Sequence, residues 1–214
     1  MRRLAIACAL VVWAGVCSAG ALESLETFVR TVHAGRADFT QVVTAPPRDG
    51  QAARSRSSSG SFEFARPGRF RFVYRKPFEQ TIVADGQTLW LYDVDLNQVS
   101  ARKQAAALGS TPAALVASAP DLRALQADFQ LQAAADKDGL QWVSATPRNR
   151  DGQLQSVRVG FVLGDKGPGL AALEILDSFG QRSVLTFGKF EVNPVLPAET
   201  FVFKPPPGAD LIRQ

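Results

Sequence analysis

The fold is decided by the stretch RPGRFRFVYRKPFEQTIVADGQTLWLY, residues 66–92. Polar and aromatic residues alternate from Arg69 to Phe72, which is the period of a β-strand with one apolar face. Further along, Asp85-Gly86 is typical of a type I′ turn, in which both central residues have positive φ. A hairpin closed by that turn would pair Ala84 with Gln87, Ile82 with Leu89, and Thr81 with Trp90. The stretch therefore predicts one strand followed by a β-hairpin.

The second arm of this hairpin is apolar on both of its faces. Leu89 and Leu91 would lie on one side of the sheet, and Trp90 and Tyr92 on the other, because side chains alternate along a strand. Large apolar side chains on both faces need an apolar cover on each side. Both covers can be protein, or one of them can be an apolar ligand.

The rest of the chain predicts many short strands and a few helices. Apolar residues spaced by three and four predict a helix over residues 22–33, ended by Gly35. A helix is also predicted over residues 109–125, beginning at Thr111-Pro112 and restarted after Pro120-Asp121. Residues 45–60 are rich in Pro, Gly, Ser and Arg and are predicted to be an exposed, mobile loop. Further strands are predicted at residues 39–43, 61–64, 69–74, 129–134, 140–145, 154–163, 171–178 and 182–192, and around residues 99 and 201. About ten antiparallel strands with short helices predict a large curled sheet or an incomplete barrel.

Residues 1–21 have the pattern of a cleaved export signal peptide. Arg2 and Arg3 precede an apolar run over residues 4–16, and residues 19–21 form a small-residue cleavage site. The apolar run is shorter than the roughly 20 residues that span a membrane. Cys17 raises the alternative of a lipid-modified N-terminus, for which Gly15-Val16 is a poor fit. Residues 22–214 are predicted to form a single domain of the mature protein.

Composition excludes several kinds of chemistry in the mature chain. Both cysteines, Cys8 and Cys17, lie in the predicted signal peptide, so no disulfide, thiol or zinc–cysteinate chemistry is expected. The formal charge falls from +4 to +2 once Arg2 and Arg3 are removed, which gives no argument for nucleic acid as a partner. The one histidine, His33, lies at a predicted helix end, where it is expected to be a surface or capping group. Residues 93–97 resemble the start of a calcium loop, but the required Gly and Glu are replaced by Gln98 and Gln104. We therefore expect no enzyme activity, no metal and no cofactor.

Five segments of the chain carry a family resemblance. They are residues 37–41 (ADFTQ), the Arg66-Pro67 step with the Phe-rich strand after it, residues 77–92 with the hairpin, residues 109–112 (GSTP), and residues 201–208 (FVFKPPPG). In this order, over almost the whole mature chain, they resemble the periplasmic outer-membrane lipoprotein carrier family, the LolA family. The resemblance implies a mainly β fold with short α-helices, in which an incomplete antiparallel barrel is covered by a helical lid and encloses an apolar cavity.

The same resemblance implies a function and its partners. A member of this family is a soluble, monomeric periplasmic chaperone that holds the acyl chains of lipoproteins in its cavity. It receives lipoproteins from an inner-membrane releasing ABC transporter and delivers them to an outer-membrane receptor. Two alternatives stay open: a lipid-anchored receptor of the same fold, which would need a lipidated N-terminal cysteine, and a lipid-sensing periplasmic signalling module, which would usually carry a further domain.

Candidate site residues follow from the apolar pattern and the resemblance. The candidates for the cavity wall are Phe39, Phe62, Phe64, Phe70, Phe72, Ile82, Leu89, Trp90, Leu91, Val159 and Phe161. Taken singly, each is compatible with plain core as well as with a cavity wall, and the resemblance favours Phe70 and Phe72. The lid would be the first helix together with residues 112–118, including Pro112, Ala113, Leu115 and Val116.

Arg66 is the residue to which the resemblance gives a specific role. In the family, the arginine of the Arg-Pro step latches the lid through hydrogen bonds to its backbone. The planar guanidinium offers five N–H donors, enough to hold several carbonyl oxygens at once. Without the resemblance, Arg66 would be read as an exposed arginine before an edge proline.

Overall fold

Thirteen β-strands form one sheet in the computed structural model, which describes residues 19–47, 51–107 and 119–213. The strands are β1 (Ala34–Ala45), β2 (Arg54–Ala65), β3 (Arg69–Lys76), β4 (Gln80–Asp85), β5 (Thr88–Asp93), β6 (Gln98–Lys103), β7 (Phe129–Lys137), β8 (Leu140–Pro147), β9 (Leu154–Gly164), β10 (Gly167–Asp177), β11 (Arg182–Phe187), β12 (Glu191–Val192) and β13 (Asp210–Arg213). The helices in the same residues are α1 (Ala19–Thr31), α2 (Gln104–Ala107), α3 (Leu122–Asp128) and a 3₁₀ turn (Ala198–Phe201).

The sheet is antiparallel except at one edge, and it does not close. Its strand order is β13-β6-β5-β4-β3-β2-β1-β11-β10-β9-β8-β7, with β12 added on β1, and β13 pairs with β6 in parallel. The path ends at β13 and β7, which are not paired with each other. The prediction of a mainly β protein with an incomplete barrel is therefore confirmed.

The prediction of a mobile loop over residues 45–60 was wrong for its second half. β2 begins at Arg54 and pairs with β1 along its whole length, from Ala45↔Arg54 to Ala34↔Ala65. The polar run of arginines and serines belongs to this strand because β1 extends equally far and supplies backbone hydrogen-bond partners. Composition indicated a loop here, but a sheet with a solvated end accepts polar side chains.

The predicted register of the hairpin between β4 and β5 was wrong by two residues. Ala84 pairs with Leu89, Ile82 with Leu91, and Thr81 with Tyr92. The Asp85 carboxylate accepts hydrogen bonds from the backbone N–H groups of Gln87 and Thr88, at 2.8 and 2.7 Å, so Asp85 precedes the turn instead of lying at its centre. Only Gly86 in this turn has positive φ, at 104°, which fits a type II′ turn. An even shift leaves every side chain on its predicted face.

Both faces of β5 are covered by protein, and the outer cover comes from the C-terminal segment. On the outer, convex face of the sheet, the ring of Trp90 lies 5.5 Å from that of Phe203, and Tyr92 lies 6.1 Å from it. On the same face, the guanidinium of Arg69 lies 5.5 Å from the ring of Phe201. The inner, concave face carries Leu89 against the core.

Helix α1 fills the concave face of the sheet. Its apolar stripe, predicted from the spacing of Leu25, Phe28, Val29 and Val32, is buried. The ring of Phe28 lies 6.2 Å from Phe64 on β2 and 5.3 Å from Phe161 on β9, so it joins the two halves of the curled sheet. The restart of helix after Pro120 is confirmed as α3, where the Asp121 carboxylate caps the helix by accepting a hydrogen bond from the N–H of Ala124. The predicted helix over residues 109–118 lies outside the described residues.

Candidate functional site

A layer of aromatic rings covers the centre of the concave face. The rings of Phe62 and Phe72 are stacked at 4.4 Å, and Phe39 meets Phe72 edge-on at 5.4 Å. Phe64 and Phe70 are fully buried in the same core cluster. Strand alternation produces the layer, because β1, β2 and β3 pair in a register that places their inward residues side by side. These five predicted cavity residues therefore lie together.

A small apolar cavity lies beside this layer, between α1 and the strands β7 to β9. It has a volume of about 20 Å³, which is room for about one water molecule. Its walls are Leu25, Phe28, Val29, Arg66, Leu125, Leu131, Val143, Ala145, Val159 and Phe161. The protein's own side chains thus nearly fill the space beneath α1.

The sequence predicted only part of the cavity wall. Val159 and Phe161 were among the candidates and line the cavity. Ile82 and Leu89 pack against the core at the opposite side of the aromatic layer, and Leu91 is half-buried on the same face. Trp90 does not belong with them, because it lies on the convex face and donates a hydrogen bond from Nε1 to Asp85 at 2.9 Å.

The wall residues that sequence reasoning missed are on β7, β8 and α3. Leu131, Val143 and Ala145 occupy alternate inward positions of two paired strands, so period-two alternation was the signal that identifies them. Leu125 lies on the short helix α3. Four predicted lid residues, Pro112, Ala113, Leu115 and Val116, lie outside the described residues.

Arg66 is the polar group in the wall of this cavity. Its Nε donates a hydrogen bond to the carbonyl oxygen of Val32, after the end of α1, at 2.9 Å. Its Nη1 donates to the carbonyl oxygen of Ala119, ahead of α3, at 2.7 Å. The guanidinium thus joins two segments that are distant in the chain, because its Nε and Nη1 groups bind the carbonyl oxygens of Val32 and Ala119.

The surroundings of Arg66 are otherwise apolar. Its guanidinium carbon lies 5.5 Å from the ring of Phe28 and 5.4 Å from that of Phe64, within cation–π range. Burial lowers the pKa of Arg66 to about 10, so the group keeps its charge at neutral pH. Its Nη2 is buried and has no hydrogen-bond partner in the part of the chain that the structure describes.

The described residues contain no candidate for a metal site or for a membrane-spanning helix. No cluster of three or more His, Cys, Asp or Glu residues suited to a metal occurs within residues 19–47, 51–107 and 119–213. Across the same ranges, no helix has both the length and the apolar character needed to cross a bilayer. His33 is exposed, and its backbone N–H donates to Asn193.

Comparison with known proteins places the whole chain beside one family. Residues 30–204 match the family model described as "Outer membrane lipoprotein carrier protein LolA". An outer-membrane lipoprotein carrier protein of Albidiferax ferrireducens is 70% identical over 214 residues, covering 100% of both chains. One of Methylibium petroleiphilum is 54% identical and covers 96% of each chain. Among solved structures, an uncharacterized conserved protein of Thermus thermophilus shares the fold with a TM-score of 0.51 at 13% identity, covering 91% of this chain and 98% of that one.

Proposed function

Because this chain belongs to the LolA family of outer membrane lipoprotein carriers, we propose that it is a periplasmic chaperone that carries lipoproteins by their acyl chains. An acyl chain cannot cross an aqueous compartment unprotected, since each CH₂ exposed to water costs about 0.8 kcal/mol. One long chain therefore represents on the order of 10 kcal/mol. A carrier must cover that surface and still release it.

The observation that carries the proposal is the nearly filled apolar space beneath α1. A cavity of about 20 Å³ is far too small for an acyl chain, so cargo enters only if elements on the concave face move aside. In the structure, Leu25, Phe28 and Val29 of α1 cover the apolar wall. Reburial of this wall then competes with cargo, which keeps binding reversible.

Arg66 is proposed to be the latch of the closed state. It holds the ends of two segments that flank the cavity, because it donates to the carbonyl oxygens of both Val32 and Ala119. Hydrogen bonds from a charged donor are stronger than neutral ones. Opening would break both, so Arg66 favours closure and thereby release of cargo. Residues 112–118 are proposed to belong to the moving lid.

The proposed route and partners follow the family. We assign residues 1–21 as a cleaved signal peptide and residues 22–214 as the carrier domain, acting as a monomer in the periplasm. The donor would be an inner-membrane lipoprotein-releasing ABC transporter, and the acceptor an outer-membrane receptor. Mass spectrometry of the mature N-terminus separates this carrier from a lipid-anchored receptor, because a diacylglyceryl group on Cys17 would identify the receptor.

A release assay tests the carrier function directly. Inner-membrane vesicles that hold the releasing transporter and a labelled lipoprotein are given ATP, with or without the purified mature protein. We expect the lipoprotein to enter the soluble fraction only with the protein, and to co-elute with it in a one-to-one complex. Lipoprotein that stays with the vesicles, although the protein is folded, would contradict the proposal.

A further inference from the structure

Three polar side chains on the concave face are joined to one another by hydrogen bonds. They are Gln41 on β1, Tyr74 on β3 and Ser183 on β11, and we call them the polar belt. The Tyr74 hydroxyl donates to Oε1 of Gln41 at 2.9 Å, and Nε2 of Gln41 donates to Oγ of Ser183 at 2.6 Å. Each residue continues the inward-facing alternation of its strand, because Gln41 follows Phe39, Tyr74 follows Phe72, and Ser183 precedes Leu185 by two positions.

On one side of the polar belt the concave face is apolar and buried. The ring of Tyr74 lies 5.1 Å from Phe39 and 6.2 Å from Phe72. From Phe72 a continuous series of ring contacts leads through Phe62 and Phe64 to Phe28, at 4.4, 5.7 and 6.2 Å. This path ends at the small cavity beneath α1.

On the other side the face opens to water. A concavity of about 760 Å³ begins at Gln41 and Tyr74 and is also lined by Arg54, Phe78 and Gln80. We call it the open concavity. The polar belt therefore marks the boundary between the apolar interior and a hydrated space.

The polar belt has hydrogen-bond donors to spare. Gln41 has a second Nε2 hydrogen, and the Ser183 hydroxyl, which accepts from Gln41, has its own hydrogen to donate. Neither has an acceptor among the described residues. Burial raises the pKa of Tyr74 to about 12, so its hydroxyl remains a donor to Gln41 over the physiological range. A ligand that places carbonyl oxygens at this level would satisfy the spare donors, which a purely hydrocarbon ligand would not.

From this arrangement we propose that the polar belt binds the ester or amide carbonyls at the head of an acylated lipid, while its chains lie along the aromatic path. The proposal rests on the carrier function and deepens it, because it assigns the depth at which the lipid anchor is held. A ligand with acyl carbonyls would thereby be favoured over an alkyl chain of equal length.

Two lipopeptide probes with chains of equal length test the inference. One is a synthetic lipopeptide whose two hexadecanoyl chains are ester-linked to glyceryl-cysteine, and the other is its dihexadecyl ether analogue, which lacks those carbonyls. Affinity is measured by displacement of an apolar fluorescent dye from the mature protein. We expect wild type to bind the ester probe about five- to tenfold more tightly, the value of about one net hydrogen bond.

Variants of the polar belt should lose this preference and little else. Gln41→Leu and, more mildly, Ser183→Ala should bring the ester-to-ether ratio towards one while leaving affinity for the ether probe within about twofold. Gln80→Leu is the matched control, because Gln80 lines the open concavity and pairs with Tyr74 across the strands but makes neither of the polar belt's hydrogen bonds, so it should keep the wild-type ratio. Ser183→Ala retains the bond between Tyr74 and Gln41, so it keeps the test valid if Gln41→Leu fails to fold.

The outcomes separate this inference from the carrier function. Equal affinity of wild type for both probes, or a preference that survives in both variants, would overturn the polar belt as a subsite while leaving the carrier intact. A folded wild type that binds neither probe would overturn the carrier function and the subsite together. A phospholipid with the same ester-linked chains, run as a third probe, shows whether the recognised carbonyls must come from a lipopeptide. An equal ester preference supports recognition of acyl carbonyls in general. With either result, the polar belt remains the proposed subsite only if its variants abolish the ester preference.

Discussion

Replacing Arg66 with leucine should shift the protein towards its open form. In the structure the Arg66 guanidinium donates two hydrogen bonds, at 2.9 Å to Val32 and 2.7 Å to Ala119, and the proposed function assigns these bonds to the closed state. Leucine removes these donors together with the guanidinium that lies over the rings of Phe28 and Phe64, and it keeps an apolar side chain at this position.

The size of the effect follows from these contacts. A hydrogen bond to a charged group contributes about 1.5–3 kcal/mol, but burial of the guanidinium, seen in its lowered pKa of about 10, opposes part of that gain. We therefore expect the closed state to lose about 1–3 kcal/mol net, which raises the open-to-closed ratio about 5- to 150-fold. Where the closed state dominates, apparent affinity for an apolar ligand should rise by the same factor.

A two-stage transfer assay measures the consequence. Arg66→Leu protein should accept lipoprotein from the releasing transporter and bind an apolar dye more tightly than wild type. Delivery to the receptor should then fail, because closure contributes less to expelling the acyl chains. Arg66→Lys should be intermediate, since a lysine keeps one charge but lacks the fork that reaches two carbonyls.

Arg71→Leu provides the matched control. Arg71 is also a half-buried arginine that donates to a backbone carbonyl, that of Thr200 at 3.3 Å, but on the convex face. Its replacement should leave dye affinity and delivery unchanged. Normal delivery by Arg66→Leu would refute the latch, and failed loading of a folded Arg66→Leu protein would mean that Arg66 acts in uptake instead.

Three further predictions concern the sheet that supports the site. Gly60→Ala should lower the free energy of unfolding by about 1–3 kcal/mol, because the added Cβ would collide with the carbonyl oxygen of Val73. We expect Tm to fall by about 2–4 °C per kcal/mol. An unchanged Tm would contradict this close approach of the two strands. Trp90→Phe should cost about 1 kcal/mol through its lost hydrogen bond and leave dye uptake unchanged, whereas impaired uptake would return Trp90 to the cavity. Burial raises the pKa of Asp85, but hydrogen bonds from Thr88, the Trp90 indole and the turn backbone outweigh it and hold the pKa below its ordinary 3.8. The stabilisation from this carboxylate is therefore present above about pH 3.8, and it is lost as the pH falls through the lower pKa that Asp85 has in the folded protein. The urea midpoints of wild type and Asp85→Asn should accordingly differ at pH 7 and converge at acid pH.

Local periodicity explains why the sheet and its two faces were predictable. Alternation in β3 and β5 identifies which side chains share a face, and this pattern alone is enough to group Phe70 with Phe72 and Leu89 with Leu91. Turn chemistry was less reliable. Asp85-Gly86 indicated a hairpin correctly, but the register depended on the Asp85 carboxylate binding the backbone that follows it.

Contacts between segments that are distant in the chain could not be predicted from the sequence. By itself it determined a mainly β chain with an apolar inner face, because these properties depend on residues two to four positions apart. Only the tertiary structure decided that Phe203 covers Trp90, that Arg66 joins Val32 to Ala119, and that Gln41 lies between Tyr74 and Ser183. Each of these contacts depends on strand register and on the curl of the whole sheet. The curl accumulates from small local twists over many residues, so no single position in the sequence determines it.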